Sequence, residues 1–347
     1  MEFIQTLLAN ELVVSILLSL LPLVFIIVYA LVVLYTEMKV AAHIQDRVAY
    51  MRTGWHGLLQ PIADMLKLLQ KEDIIPDKAD KLLFRLAPII AFVGTYAAYA
   101  VLPFSSIYIG SNINLGAFFL VAVGSLVVVG ILMAGWASNN KWSLFGGVRS
   151  AAQMISYEIP TAIAIIIVVM ITGSLNLQDV TKFQDGGIGN WVVLGGPLPW
   201  LQKLMLMPFT IITFFILFVS SIAEVNRTPF DLPEAESELV QGFNTEYSGM
   251  RFAMFYLSEY ANLFTGSAVG VALFLGGWSS PFGDFMSGPV WGIFWFVAKA
   301  YIFVLIQIWV RWTLPRLRVD QLMYVSWKVL IPWLFVCLLS VGLILVL

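Results

Sequence analysis

Four ionisable side chains stand inside runs that are otherwise apolar. Glu158 opens one run in SYEIP, Glu224 closes another in SSIAE, Glu259 lies two turns into a third in LSEYANLF, and Lys299 sits near the middle of a fourth in WFVAKAYIF. A charge at the centre of a bilayer costs about 2.5–3.5 kcal/mol even on insertion scales, so such groups face a protein interior or water and are functional candidates by default. Low dielectric disfavours the charged form of a carboxyl group, and a row of such groups can pass protons by short hops. Taken alone, each glutamate also reads as a hydrated helix end, and Lys299 as a static counter-charge to one of them. Three carboxylates at similar depth on three runs make coincidence a weaker account.

The same chemistry is concentrated in one polar stretch, Glu224 to Arg251, which reads EVNRTPFDLPEAESELVQGFNTEYSGMR. It carries six carboxylates (Glu224, Asp231, Glu234, Glu236, Glu238 and Glu246) against two cations, Arg227 and Arg251, a formal balance of −4. Apolar runs flank it on both sides. An acidic segment squeezed between membrane helices must be held by something, and the large acidic loop asks for a protein partner.

The elements that position these groups follow from composition. The 347 residues are 60% hydrophobic and 12% charged, well below the charged quarter of an ordinary soluble domain. A helix needs about 20 apolar residues to cross the hydrocarbon core. Eight such runs occur, at 12–36, 84–103, 115–137, 157–174, 204–223, 252–277, 289–313 and 325–347. The fold expected is an all-α integral membrane bundle of eight transmembrane helices, one polytopic domain over residues 1–347. The first run is too long, and its flank too acidic (Glu2, Glu11), for a cleaved signal peptide. The net charge of −2 gives no hint of a nucleic-acid partner. The single cysteine, Cys337, cannot hold an iron–sulfur cluster, and the two histidines, His43 and His56, are too few for a haem or metal site between helices. Any electrons must come from a partner. The aromatic residues read as interfacial belt and helix packing, as do the glycines near Val123, Gly124 and Gly130 and in GSAVG of the sixth run.

Lysine and arginine sort by side. Loops after the odd-numbered runs hold sixteen of the nineteen, the opposite face has Lys182 and Lys203, and Lys299 is inside a span. The bias puts the odd-numbered loops in the cytoplasm and both termini outside. The first cytoplasmic loop, 37–83, contains GLLQPIADMLKLLQKE (Gly57–Glu72). Leu58, Ile62, Met65, Leu66 and Leu69 recur there at helical spacing, apart from Gln60, Asp64, Lys67 and Lys71. This is an amphipathic helix too short to cross, expected at the membrane interface as an anchor or as the wall of an amphipathic ligand's entrance.

The stretch AEVNRTPFDLPEAESELVQGFNTEY resembles the hallmark loop of the H subunit of bacterial NADH–quinone oxidoreductase (respiratory complex I), the counterpart of the mitochondrially encoded subunit 1. The resemblance extends to Gly57–Glu72, to GWASNNKWSLFGGVRSAAQMISYEIP (Gly135–Pro160) and to Glu259–Tyr260, and covers nearly the whole chain. It implies a place at the heel of the membrane arm, in the cell inner membrane, against the peripheral-arm subunits at the quinone site, the adjacent small membrane subunits, and lipid. It implies quinone as substrate, no cofactor in this chain, and FMN and iron–sulfur clusters in partner subunits. By matching position, Glu37, Arg47, Gln60, Asp64, Arg227 and Asp231 would belong to the quinone chamber. Arg149, Glu158, Glu224, Glu234, Glu236, Glu238, Glu246 and Glu259, joined by Lys299, would belong to the loop and proton path. The chain departs from the family pattern at Met38 and at Ala49-Tyr50-Met51. The function expected is a subunit that forms much of the chamber and couples quinone reduction to proton translocation, part of an enzyme but without a redox centre. The rivals are the anchor subunit of a related energy-converting hydrogenase or dehydrogenase, and, in another class, a stand-alone transporter or channel. The missing internal repeat speaks against the last.

Overall fold

The computed structural model describes residues 11–233, 236–283 and 285–346. Long helices dominate it. They are α1 (Glu11–Ile44), α3 (Lys81–Ala98), α4 (Gly116–Ala137), α5 (Lys141–Thr172), α7 (Trp200–Glu224), α9 (Gly249–Phe274), α10 (Pro289–Thr313) and α12 (Ile331–Val346). Shorter helices α2 (Gln60–Gln70), α6 (Leu177–Phe183), α8 (Glu236–Leu239) and α11 (Val319–Tyr324) fill the connections, and a π-helical turn, Val325–Leu330, joins α11 to α12. Among the described residues, seven helices are long and apolar enough to cross a membrane, with α11 and α12 counting as one. This is an all-α, multi-pass membrane protein. Helix α9, at the position of the sixth expected run, is 26 residues long but falls outside those seven. Its first four turns carry Arg251, Ser258, Glu259 and Asn262, which dilute an otherwise apolar sequence.

Helices α3 and α4 lie side by side, α4 packs on α5, α5 on α7, and α9 against α3, α7 and α10. The main core is shared by α1, α5, α7, α9, α10 and α12, with Tyr157, Leu206, Phe264, Phe274, Phe296 and Leu334 buried in it. A side chain on Gly130 would place its Cβ 2.8 Å from the Ala91 backbone nitrogen, so the contact of α4 with α3 requires glycine there. Gly124 differs from the close-packing expectation, because a Cβ there would meet nothing within 4 Å.

Two boundaries shift in ways that matter. The fourth span was expected from residue 157, with Lys141 and Arg149 in a loop. Instead Asn140 accepts a bond from the Trp142 N–H at 3.0 Å and caps α5, a single helix from Lys141 to Thr172. Glu158 is therefore mid-helix, and Arg149 projects from a helix rather than a loop. The amphipathic helix expected at Gly57–Glu72 is shorter, running from Gln60 to Gln70. At its start Gly57 is in the left-handed region (φ 81°), pressed against the Tyr50 carbonyl, and at its end Lys71 turns extended.

Candidate functional site

The strongest polar constellation lies where α1, α9 and α10 meet the segment after α7. Arg227 is 2% exposed and its Nη1 donates to Glu37 Oε2 at 2.8 Å. Its Nε lies 3.0 Å from Glu259 Oε1, an ion pair in which the N–H is not aimed along a hydrogen bond. The guanidinium sits over the Tyr260 ring, 4.4 Å from its centre. Glu37, 2% exposed, also accepts from the Tyr260 hydroxyl at 2.7 Å and from Arg311 Nη1. Tyr256 and Tyr260 hydroxyls are 3.2 Å apart. Burial works against the charge of Arg227, but Glu37, Tyr260 and Glu259 outweigh it, so the guanidinium holds its proton well above its ordinary range. The four charges balance: Glu37 and Glu259 against Arg227 and Arg311.

Asp231 extends this cluster, with Arg316 Nη2 3.6 Å from its Oδ2. Burial pushes the Asp231 carboxyl up, against the pull of Arg316 and Arg311. The rest of the acidic segment is strapped to this chain. Phe230, Leu232, Leu239, Phe243 and Tyr247 are all buried. Tyr247 stacks on Phe84 at 4.0 Å, Asn140 donates to Glu246 at 2.6 Å, Arg149 donates to Glu238 at 2.7 Å, and Arg251 pairs with Asp73 at 3.0 Å. At Gly146 a Cβ would lie 2.6 Å from Gly242 Cα, so α5 touches the loop backbone directly. Glu238 is the exposed acid among the loop carboxylates whose side chains are described. Glu234 and the side chain of Glu236 lie outside the described residues.

One cavity adjoins this cluster through Glu259, and a second lies next to it. The larger, of about 100 Å³, is lined by Glu158, Thr161, Ser221, Glu224, Asn262 and Thr265 among apolar residues of α3, α4, α5, α7 and α9. The smaller, of about 40 Å³, is lined by Glu224, Asn226, Asn244, Ser258, Glu259 and Asn262. Glu224 and Asn262 border both. The carboxylate of Glu224 accepts from the Thr161 hydroxyl at 2.6 Å. Each cavity has room for water and several polar partners for it. The three span glutamates thus line two neighbouring cavities, Glu158 the larger, Glu259 the smaller and Glu224 both, and Glu259 also touches Arg227.

Other expected residues stand apart. Thr53 donates to Gln60 at 2.6 Å, Gln60 lies 3.4 Å from Asp64, and Lys67 pairs with Asp64 at 3.2 Å. Gln60 and Asp64 are half-buried on α2, while Leu58, Ile62, Met65, Leu66 and Leu69 are exposed. Arg47 is exposed and bonds Gln45 at 2.6 Å. Lys299 is buried and donates to the carbonyls of Leu275 (2.7 Å) and Ser279 (3.0 Å). Leu275 follows the end of α9, and from Glu259 to there the helix climbs about 24 Å. Among the described residues Lys299 pairs with no carboxylate, so it is not the counter-charge of the three glutamates.

The family model described as NADH dehydrogenase matches residues 16–342. A Chlorobium luteolum protein that bears the name of an NADH-quinone oxidoreductase H subunit is 51% identical over 326 residues, covering 91% of this chain and 85% of its own. An NADH-quinone oxidoreductase H subunit of Cytophaga hutchinsonii is 45% identical over 343 residues, covering 89% and 93%. One from Geobacter metallireducens is 45% identical, covering 92% of each. The chain belongs to the H-subunit family of NADH-quinone oxidoreductases.

Within that family frame, the sequence points to Arg227 but not to Arg311, the second cation on Glu37, nor to Arg316 beside Asp231. Arg311 and Arg316 counted in the sequence only as cytoplasmic charges, and Tyr256 was not singled out. A signal was present: Glu37, Arg227, Glu259 and Arg311 all lie near span ends assigned to the same side. A bilayer interface leaves opposite charges at one depth few alternatives but to pair.

Proposed function

We propose that this chain is the membrane subunit of a proton-pumping NADH–quinone oxidoreductase that holds quinone and couples its reduction to proton movement. Helix α9 is the eighth crossing, the termini lie outside, and the acidic segment faces the cytoplasm of a cell whose inner membrane holds the complex. The peripheral-arm subunits, carrying FMN and iron–sulfur clusters, deliver electrons, the small membrane subunits and lipid flank the bundle, and this chain binds no cofactor of its own. The exposed apolar stripe of α2 lies in the interface, while its half-buried Gln60 and Asp64 look inward. A quinone, with an apolar tail and polar head, suits such a wall. Glu37, Arg227 and Asp231 form the polar inner part of the chamber, and Arg47 belongs to its outer rim.

The observation that carries this reading is a shared residue. Glu259 pairs with Arg227 in the buried charge cluster and lines the cavity that holds Glu224. A change of charge beside Arg227 therefore reaches the wall of the cavity that Glu224 borders, and Glu224 in turn borders the cavity of Glu158. Glu238 and Glu246 belong to the cytoplasmic side of that path, and Lys299 to a separate outer segment of it.

Glu224→Gln in the intact complex, reconstituted in liposomes, tests the reading. The complex is expected to assemble and to move fewer protons per NADH oxidised. Full pumping by the glutamine variant would remove Glu224 from the path.

A further inference from the structure

Asn226 occupies the two-residue bridge between Glu224, which lines the cavities, and Arg227, which anchors the buried charges. Its φ of 54° lies in the left-handed region, which asparagine tolerates better than most residues other than glycine. Its side chain is held at both ends by α5. Gln153 Nε2 donates to Asn226 Oδ1 at 3.0 Å, and Asn226 Nδ2 donates to Ser150 Oγ at 2.9 Å. The same Gln153 amide donates to the Ala223 carbonyl at 2.8 Å, gripping the last turn of α7 just before Glu224. Two turns further along α5, about 12 Å by helical rise, Thr161 holds the Glu224 carboxylate itself at 2.6 Å. One face of α5 thus fixes Glu224 from its backbone and from its side chain. Gln153 and Ser150 are both buried, at 2% and 0% exposure, so solvent does not compete for these bonds.

We infer that Asn226, clamped by Gln153 and Ser150, is the positioning residue that makes movement of Arg227 a movement of Glu224. Proximity of two charged groups in sequence does not couple them if the link between them is slack. Here Asn226 N–H bonds the Ala223 carbonyl at 3.2 Å and its side chain is pinned to α5, so the turn is held from its backbone and from its side chain. A displacement of Arg227 is passed to the end of α7 rather than absorbed by the turn. Asn226 also borders the smaller cavity, where Glu224 and Glu259 meet.

The inference rests on the coupling role proposed above, and its test separates the two. Asn226→Gly keeps the left-handed turn at no steric cost and removes the clamp; Gln153→Leu removes the clamp from the α5 side with the turn intact. Each is measured in the intact complex in liposomes, with Glu224→Gln alongside, as protons moved per NADH oxidised at matched turnover. The expected result is that the ratio falls by about half or more in both clamp variants. A merely structural role would lower assembly or turnover and leave the ratio of the surviving complex at the parental value, and that result overturns the inference. Asn226→Asp keeps the acceptor for Gln153 and the turn, and is expected to retain more of the ratio than Asn226→Gly; equal loss in the two would count against the clamp. If Glu224→Gln itself pumps fully, the coupling reading has failed. If it fails to pump while both clamp variants keep the parental ratio, the reading stands and the role of Asn226 does not.

Discussion

Replacing Glu37 by glutamine should release the segment after α7. The carboxylate is 2% exposed and serves Arg227, Arg311 and the Tyr260 hydroxyl together. Glutamine keeps the shape but leaves Arg227, itself 2% exposed, with Glu259 as its remaining partner, in a pair whose N–H is poorly aimed. Removing one member of a buried ion pair costs about 3–5 kcal/mol, chiefly because the other charge stays buried without compensation. At 1.4 kcal/mol per decade, this corresponds to roughly two to four decades in the equilibrium for local opening. Hydrogen exchange of the backbone amides in 225–233, measured on the assembled complex in detergent, reads that opening directly. Their exchange is expected to quicken by at least about two decades. The double variant Glu37→Gln with Arg227→Met removes one charge of each sign and leaves Arg311 against Glu259. It should recover most of the protection, since apolar replacement of a whole buried pair is often neutral. Exchange in Glu37→Gln indistinguishable from the parent would refute the reasoning, because it would mean that Arg227 finds water or another partner at little cost.

Gly146→Ala drives a Cβ to 2.6 Å from Gly242 Cα, where only backbone can yield. A cost of about 1–3 kcal/mol is expected, seen as a lower melting temperature and less assembled complex, and unchanged melting would mean that the loop rides free of α5. For Asp231→Asn the sign follows from burial, which raises the folded-state pKa of Asp231 despite Arg316. The folded protein then takes up a proton more readily than the unfolded chain, so the contribution is full below about 3.9 and is lost as pH rises through the folded value. The always-neutral asparagine variant should melt no lower than the parent at pH 7, with any advantage shrinking as pH falls toward about 4; clearly lower melting at pH 7 would show that the Arg316 pair outweighs burial.

The helices were legible because hydrophobic runs of spanning length leave the chain little choice: lipid satisfies no backbone group, so each run must be helical. The long start of α5 was not legible by that rule. Residues 141–156 hold Lys141, Ser143, Arg149, Ser150 and Gln153, a polar mix that hydropathy assigns to a loop, whereas Asn140 and the loop packing make it helix. Glu158, Glu224 and Glu259 could be flagged by type and depth. That they line two neighbouring cavities depends on how α5, α7 and α9 turn about their axes, and this is set by close contacts such as Gly266 against Ser221, where a Cβ on the glycine would lie 3.1 Å from that of the serine. Lys299 was flagged by the same rule and lies elsewhere, because depth along a helix does not say which end of a neighbouring helix a side chain will cap. The acidic segment asked for a partner on charge alone, yet Arg149, Arg316 and Asn140 of this chain reach Glu238, Asp231 and Glu246.

The buried cluster is a poor way to hold helices together. Desolvating four charges costs more than good pairing returns unless every remaining donor is satisfied, and Arg227 Nη2 is buried without a hydrogen-bond partner among the described residues. Leucine and phenylalanine fill the neighbouring contacts of the same helices without any such penalty, as at Leu263, Phe264 and Phe296. What the charges add is sensitivity. An apolar contact is indifferent to a proton or an anion arriving nearby, whereas a balanced set of two acids and two guanidiniums is disturbed by either. One unit charge at 4 Å is worth about 4 kcal/mol at the effective dielectric of a protein site, enough to redistribute Arg227 between its two carboxylates. One of those carboxylates, Glu37 of α1, also pairs with Arg311 of α10, and the other, Glu259, lines the cavity that Glu224 borders. A shared cation between two acids with different neighbours turns chemistry on one side into a change of charge balance on the other, and this is the physical basis of the coupling proposed through Arg227.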